Sequence, residues 1–146
     1  MREKQVRSII VLVLTMLVVV ASSSLVSASP SVVQGQKWIN PNANVISWTV
    51  AGQYVGQMET VDGTIVSTYV SAKGNVFLDF NIPWQGYFYG VIFSNDVGNF
   101  RCSPSGFYLN QEVRITGLIQ SYKGSPEIIV NSPSQIEVAY QGFPCS

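Results

Sequence analysis

The ionisable side chains of this chain limit the catalytic chemistry that it could perform. Its 146 residues include no histidine, which removes the commonest general base and metal ligand, and with it Ser-His and Cys-His nucleophile pairs and HExxH zinc sites. Because scattered carboxylates are usually solvated surface charges, we predict no enzymatic activity, no cofactor and no metal site. The acidic residues beyond position 28 are Glu59, Asp62, Asp79, Asp96, Glu112, Glu127 and Glu137.

Aromatic and basic side chains are the better candidates for a functional site, and the function that they favour is ligand binding. Two neighbouring strands cannot hide every ring of an aromatic-rich segment on a single inner face, so we expect an exposed aromatic set in this part of the chain. Lysine precedes glycine at Lys73-Gly74 and at Lys123-Gly124, which is also ordinary solvated turn chemistry. The crowded aromatic residues are Phe77, Phe80, Trp84, Tyr87, Phe88, Tyr89 and Phe93.

The elements that must position these side chains are β-strands, and residues 113–138 give the clearest pattern. The first arm alternates apolar and polar residues with the period of a half-buried strand. A tight turn is predicted at Lys123-Gly124-Ser125, where glycine can adopt a positive φ, and Pro126 opens the second arm at residues 127–130. A further strand edge is predicted at residues 135–139. The inward-facing set of the first arm is Val113, Ile115, Gly117 and Ile119.

An earlier segment repeats this pattern and predicts a second bent strand. Residues 57–70 alternate around Gly63, and a glycine inside a strand marks a bend or a close backbone approach. Two bent strands are what a small closed barrel requires. Residues 75–81 and 87–93 are predicted as the next two strands, with Val76, Leu78 and Phe80 towards the core and Phe77 on the outer face.

Two shorter segments complete the predicted architecture. Residues 94–96 have the composition of a helix cap, which predicts a short helix with Val97 and Phe100 on its buried side. Residues 45–55 are compatible with either a short helix or an extended strap. In both cases we expect Trp48 and Tyr54 to close one end of the barrel.

These segments resemble the OB-fold domains of bacterial and archaeal nucleic-acid-binding proteins. The resemblance extends over residues 52–139 and is carried by GTIVSTYVSAKGNVFLDF, FYGVIFS and VRITGLIQSYKGSPEIIVNSPSQIEV, with YKGxPEIxxxxPSQI as its most specific part. It implies an all-β, five-stranded Greek-key barrel with a short helix between the third and fourth strands. Composition and spacing alone predict only a small β-barrel or sandwich.

The resemblance also implies a binding face for single-stranded DNA or RNA, on which aromatic side chains stack with bases and basic side chains neutralise phosphates. The alternative is a module at the cell surface that binds an oligosaccharide or another protein, for which exposed aromatic rings suffice. Secreted nucleases with a related barrel combine arginines with a carboxylate cluster, which Arg101 and Arg114 do not supply in this sequence. The candidate ligand-binding residues are Tyr69, Lys73, Phe77, Tyr89, Arg114, Tyr122 and Lys123.

The first 28 residues have the composition of a secretory signal peptide. A basic start is followed by an apolar run and a Val26-Ser27-Ala28 cleavage site. We predict cleavage after Ala28 and a secreted chain without membrane contact, and the alternative is an uncleaved anchor.

The expected parts are a lead and strap at residues 29–51, an OB-fold domain at 52–140 and a tail at 141–146. The secreted part has five basic and seven acidic residues, a formal charge of −2 that opposes strong nucleic-acid binding.

The two cysteines, Cys102 and Cys145, both lie in the predicted secreted part. In an exported chain such a pair indicates one disulfide bond, which would join the segment after the third predicted strand to the C-terminal tail. The alternative is two free thiols in a reducing compartment.

Overall fold

The computed structural model describes residues 37–39 and 43–140. The predicted signal segment, residues 29–36 and 40–42 of the predicted lead and strap, and the tail with Cys145 lie outside these residues. The described part is mostly β and its strands form one mixed sheet, which confirms the β-rich class. The strands found there are β1 Ile46–Ser47, β2 Met58–Thr64, β3 Ser67–Val70, β4 Val76–Asp79, β5 Tyr89–Ile92, β6 Glu112–Tyr122, β7 Ser125–Ile129 and β8 Ile136–Val138.

Helices are short and lie between the strands. Residues 45–55, for which a helix and a strap were both compatible with the sequence, contain the 3₁₀ helix Trp48–Tyr54, and the Ser47 hydroxyl accepts a hydrogen bond from the Thr49 N–H at its start. Between β5 and β6 the chain forms the 3₁₀ helix Val97–Asn99 and then helix α1, Pro104–Tyr108. The predicted short helix is found as the 3₁₀ helix, with Phe100 buried and Val97 partly buried against the core, and α1 follows it as a further helical segment.

The sheet follows the order β1-β2-β6-β7-β5-β4-β3, and β8 pairs with β6 outside this path. The pairs β1–β2 and β5–β7 are parallel, and the other pairs are antiparallel. The hydrogen-bonded path is open, since it begins at β1 and ends at β3. A closed five-stranded Greek-key barrel is therefore not confirmed.

The predicted bent strand is divided into β2 and β3 by Ile65 and Val66. The Ile65 N–H donates to the Gln111 carbonyl at 2.9 Å, which continues the pairing of β2 with β6. The Val66 N–H donates to the Asp79 carbonyl at 2.9 Å, which begins the pairing of β3 with β4. The change of partner lies at these two residues, slightly after Gly63, where the bend was expected.

The hairpin between β6 and β7 turns in two residues instead of the predicted three. Lys123 has a φ of 49° and Gly124 a φ of 83°, and Ser125 already pairs with Tyr122. Two successive residues with positive φ match the right-handed twist of the flanking strands. The turn therefore places Tyr122 and Lys123 at the end of the sheet.

The hydrophobic core lies on one face of the strands and follows the predicted alternation. The inward sets of β4 and β6 are buried and pack in the same cluster as the residue at the β2–β3 bend, Ile65. Trp48 and Tyr54 are partly buried against this cluster, and the ring of Trp48 lies 6.5 Å from that of Phe80. The core residues on β4 and β6 and directly after β4 are Val76, Leu78, Phe80, Val113, Ile115 and Ile119.

No helix in the described ranges is both long enough and apolar enough to cross a lipid bilayer.

Candidate functional site

A row of polar side chains crosses the sheet on the face opposite the core. The strand register places Ser67 beside Asp79, Asp79 beside Tyr89, and Tyr89 beside Glu127. Because side chains alternate along a strand, Asp79 and Phe77 share the face opposite Leu78. Asp79 is only 6% exposed and Glu127 only 8% exposed, so two carboxyl groups are buried in this row.

Aromatic rings surround the row and form a continuous chain of contacts. The ring centroids of Tyr69 and Phe77 are 6.0 Å apart, those of Phe77 and Tyr89 are 5.9 Å apart, and those of Trp84 and Tyr89 are 5.8 Å apart. These separations are in the range of favourable aromatic pairs. Together they form the wall of a pocket of about 490 Å³, which we call the groove. The groove is lined by Ser67, Tyr69, Phe77, Asp79, Trp84, Tyr89, Tyr122 and Lys123.

The loop between β4 and β5 brings Trp84 to the groove. The Gly86 N–H donates to the buried hydroxyl of Ser125 on β7 at 2.7 Å, and the Tyr87 N–H donates to the Trp84 carbonyl at 3.0 Å. The first bond ties the loop to a neighbouring strand, and the second closes a turn next to Trp84. These bonds fix the backbone of the loop, the indole packs edge-on against Tyr89, and 40% of the Trp84 residue stays exposed.

The β6–β7 hairpin supplies the other edge of the groove. Tyr122 is half exposed, and the Lys123 ammonium lies 5.3 Å from the centroid of its ring. A cation over an aromatic face is attracted by the ring electrons. Lys123 is the only basic residue that lines the groove within the described part of the chain.

Tyr89, one of these aromatic residues, forms a buried hydrogen-bonded pair with Glu127. The Tyr89 hydroxyl donates to the Glu127 Oε2 atom. Burial, and then this hydrogen bond, raise the pKa of Tyr89 well above its usual value of 10. The phenol therefore stays protonated, and the Glu127 carboxyl accepts its hydrogen bond.

Asp79 has a different environment, since within residues 37–39 and 43–140 its carboxyl forms no salt bridge. The Lys37 ammonium pairs with Glu112 instead. Burial raises the pKa of the Asp79 carboxyl above its ordinary value of 3.8, and a hydrogen bond with the Ser67 side chain opposes this shift. The groove is therefore lined by a desolvated carboxyl group that has no salt-bridge partner in the described part of the chain.

This carboxyl group gives a prediction about the pH dependence of stability. Because its pKa is raised in the folded state, the folded protein binds more protons than the unfolded chain between pH 3.8 and the raised pKa. Its contribution to the free energy of unfolding therefore rises as the pH falls through that window, and at neutral pH it destabilises the fold. We expect Asp79→Asn to be more stable than the wild type at neutral pH.

The measurement is the urea-unfolding midpoint of both proteins from neutral pH to about pH 4. The advantage of Asp79→Asn should shrink as the pH falls. The control is Asp96→Asn, which changes a carboxyl outside the groove. An advantage of Asp79→Asn that stays constant over the whole pH range would contradict the prediction.

The structure brings five of the seven predicted binding residues together at the groove: Tyr69, Phe77, Tyr89, Tyr122 and Lys123. It does not bring Lys73 there, since this residue is exposed in the turn between β3 and β4 and does not line the groove. The aromatic part of the predicted site is therefore assembled, whereas most of its basic part is elsewhere.

Arg114 lies in a different environment from the one expected of a ligand-binding residue. It is 6% exposed, and its guanidinium carbon lies 4.2 Å from the centroid of the Trp38 ring. The register places Asp62 and Glu137 beside it on the neighbouring strands. The side chain is on the outer face of β6, as predicted, but Trp38 covers it, so its surroundings are those of a structural residue.

Three residues of the groove were not among the predicted site residues: Ser67, Asp79 and Trp84. The alternation that places Phe77 on the outer face of β4 also places Asp79 there, so this residue carried a usable signal. Trp84 was recognisable as an aromatic residue in a turn between two strands, although no local pattern relates it to Tyr89.

One cysteine of the predicted disulfide bond, Cys102, lies within the described residues. Cys102 is not a free cysteine, while its expected partner, Cys145, lies outside the described residues. The pairing of the two stays a prediction.

The described side chains contain no group of three or more His, Cys, Asp or Glu residues with the arrangement of a metal site. The arginines of the nuclease hypothesis are not brought to the groove either, since neither Arg101 nor Arg114 lines it. The groove is lined by aromatic side chains, a buried carboxyl and one lysine, a combination that suits a binding site.

Comparisons with known proteins add no assignment to this geometry. No protein-family model matches the chain, and no curated protein matches it.

Proposed function

We propose that the chain is an exported, non-catalytic binding module with an OB-type barrel, and that its groove binds a short oligosaccharide. The proposal rests on one observation above all. Five aromatic side chains and a buried carboxyl line a single pocket that contains only one basic residue. The volume of about 490 Å³ is in the range of small-ligand sites.

The order and direction of the strands support the OB-type barrel. If β2 and β3 are taken as two halves of one bent strand, the order becomes that strand, β4, β5, β7 and β6, and β6 pairs again with β2. The pair β5–β7 is parallel, and a helical segment connects β5 to β6. Ile65 and Val66 provide the change of partner that such a strand needs.

The position of the groove also agrees with an OB-type module. OB-folds bind oligonucleotides and oligosaccharides on the face of their second and third strands and on the adjoining hairpin loops. Here Phe77 and Asp79 come from β4, Tyr89 from β5 and Lys123 from the β6–β7 turn. These elements correspond to that face and to one of those loops.

Oligosaccharide binding explains the composition of the groove better than nucleic-acid binding does. Sugar rings present apolar C–H faces that pack on aromatic rings, and their hydroxyl groups donate hydrogen bonds to a carboxyl such as Asp79. Nucleic acid gains much of its affinity from lysine and arginine at phosphates. Lys73 and Arg114 are absent from the groove, and the carboxyls of Asp79 and Glu127 would repel a phosphate.

Export is part of the proposal and is supported by the sequence of the first 28 residues, with their basic start, apolar run and Val26-Ser27-Ala28 site. A binding module outside the cytoplasm would encounter the glycans of cell surfaces. The negative formal charge of the secreted part is compatible with a neutral or cationic ligand.

The test is a screen of the purified protein against a panel of oligosaccharides, followed by calorimetric titration of each compound that binds. Tyr69→Ala and Trp84→Ala are expected to weaken binding by about 1–2 kcal/mol each, roughly 5- to 30-fold in Kd, because each removes a stacking face. The matched control is Tyr140→Ala, since Tyr140 is exposed but does not line the groove.

Labelled oligo-dT and oligo-U are titrated in parallel at low and moderate salt. Binding of these oligonucleotides that weakens as salt rises, with no oligosaccharide bound, would replace the proposal by a nucleic-acid function. Failure of every ligand to bind would refute the assignment of the groove as a glycan site.

A further inference from the structure

We infer that the groove selects saccharides that carry a free, protonated amino group. This inference rests on the proposed oligosaccharide function and specifies the ligand class of the same site. Its basis is the position of Asp79, whose carboxyl lines the groove although the residue is more than nine-tenths buried.

The carboxyl of Asp79 is placed to receive a cation. Within the described part of the chain it takes part in no salt bridge, and its identified partner is the neutral side chain of Ser67. A buried carboxylate is costly unless a positive charge accompanies it. A ligand ammonium in the groove would supply that charge and donate up to three hydrogen bonds.

The second buried carboxyl does not compete for this role. Glu127 accepts a hydrogen bond from the Tyr89 hydroxyl, and it does not line the groove. Its negative charge still adds to the electrostatic field, because Tyr89 is next to both Asp79 and Glu127 in the strand register. The groove therefore has one accessible carboxyl group with a second behind the neighbouring ring.

The aromatic rings favour a cation over a neutral group at the same place. The faces of tryptophan, tyrosine and phenylalanine attract ammonium ions, and a water-excluded setting strengthens this attraction. Phe77 and Trp84 both contact Tyr89, which lies between Asp79 and Glu127. An amino sugar would therefore stack its ring on the same rings that stabilise its ammonium group.

The one lysine of the groove does not cancel this preference. Lys123 is exposed at the tip of the β6–β7 hairpin, and its ammonium lies over the ring of Tyr122. Charges in contact with water are screened much more than buried ones. The buried Asp79 should therefore dominate the interaction with a cationic ligand.

The experiment compares a glucosamine tetramer with the N-acetylglucosamine tetramer, whose sugar chain is the same but whose nitrogen is acylated and neutral. Calorimetric titration is performed at about pH 6, because the electron-withdrawing oxygens of the sugar lower the pKa of its amine towards neutrality and the ammonium form must predominate. We expect the amine form to bind about tenfold more tightly, and we expect this preference to decrease as salt is added.

Two variants test whether Asp79 causes the preference for the amine form. Asp79→Asn keeps the shape and removes the charge, so the ratio of the two affinities should fall to about one while the acetylated tetramer still binds. Asp96→Asn is the control, because it removes a carboxyl outside the groove, and the preference should be unchanged. Thermal unfolding and binding of the acetylated tetramer show that each variant is folded.

Each outcome has a separate meaning for the two proposals. Equal affinity of the wild type for both tetramers would overturn the selection for an amine and leave the glycan function in place. A preference that persists in Asp79→Asn would overturn the role of this carboxyl. If neither tetramer binds, the inference fails, and the glycan proposal fails with it only if no other oligosaccharide of the panel binds.

Discussion

Replacement of Gly63 by alanine is expected to lower the free energy of unfolding by about 2–3 kcal/mol. A Cβ atom at this position would lie 2.4 Å from Cδ1 of Trp48 and 2.8 Å from Cδ1 of Phe80. Both rings pack in or against the core, so they cannot move away without leaving space elsewhere. Because Gly63 lies just before the β2–β3 bend, the change would disturb the corner from which both halves of the strand extend.

The matched control is Gly106→Ala. Gly106 lies in helix α1, and a Cβ atom there would meet nothing within 4 Å beyond its chain neighbours and the backbone of its own helix. Alanine is the better helix former, so this variant should be neutral or more stable by up to about 1 kcal/mol. Urea unfolding of both variants and the wild type measures the difference. Equal stability of Gly63→Ala and the wild type would show that the close approach of Trp48 and Phe80 is wrong.

The second large effect is expected from Tyr89→Phe. The substitution removes the hydroxyl that donates to Glu127 and leaves a buried carboxyl without this donor. A buried polar group that loses its partner costs about 2–3 kcal/mol when it is charged. Since phenylalanine keeps the ring and its packing on Phe77 and Trp84, the loss can be assigned to the hydrogen bond.

A double-mutant cycle tests the assignment. Glu127→Met removes the carboxyl and keeps an unbranched side chain of similar length. If the two groups are partners, Tyr89→Phe/Glu127→Met should lose less stability than the sum of the two single variants. The free energies of unfolding of the four proteins are measured by urea titration. Strict additivity would mean that Tyr89 and Glu127 do not stabilise each other.

The strands were predictable because their signal is local. The alternation of β6 placed Val113, Ile115 and Ile119 in the core, and the Lys123-Gly124 pair marked the turn. The turn length was wrong by one residue because Ser125 pairs with Tyr122, a choice made by the register of two strands. The bend was displaced from Gly63 to Ile65 and Val66 for a similar reason, since the exchange of partner strands determines where the chain turns.

Site residues were predictable where the alternation of a strand determines which side chains face away from the core. Tyr69 and Phe77 follow from alternation, and they line the groove. The burial of Arg114 could not be predicted from alternation, because the ring that covers it, Trp38, belongs to a segment outside the strands. The burial of Asp79 likewise depends on strands and a loop that converge from separate parts of the chain.

The most direct test of the account is an NMR titration of the isotope-labelled protein with the glucosamine tetramer. We predict shift changes in the backbone amides of Tyr69, Phe77 and Tyr89 and in the indole N–H of Trp84, all residues of the groove. The indole N–H of Trp38, which lies over Arg114, should not change. Changes centred on Trp38 and Arg114, with the groove unaffected, would contradict the account.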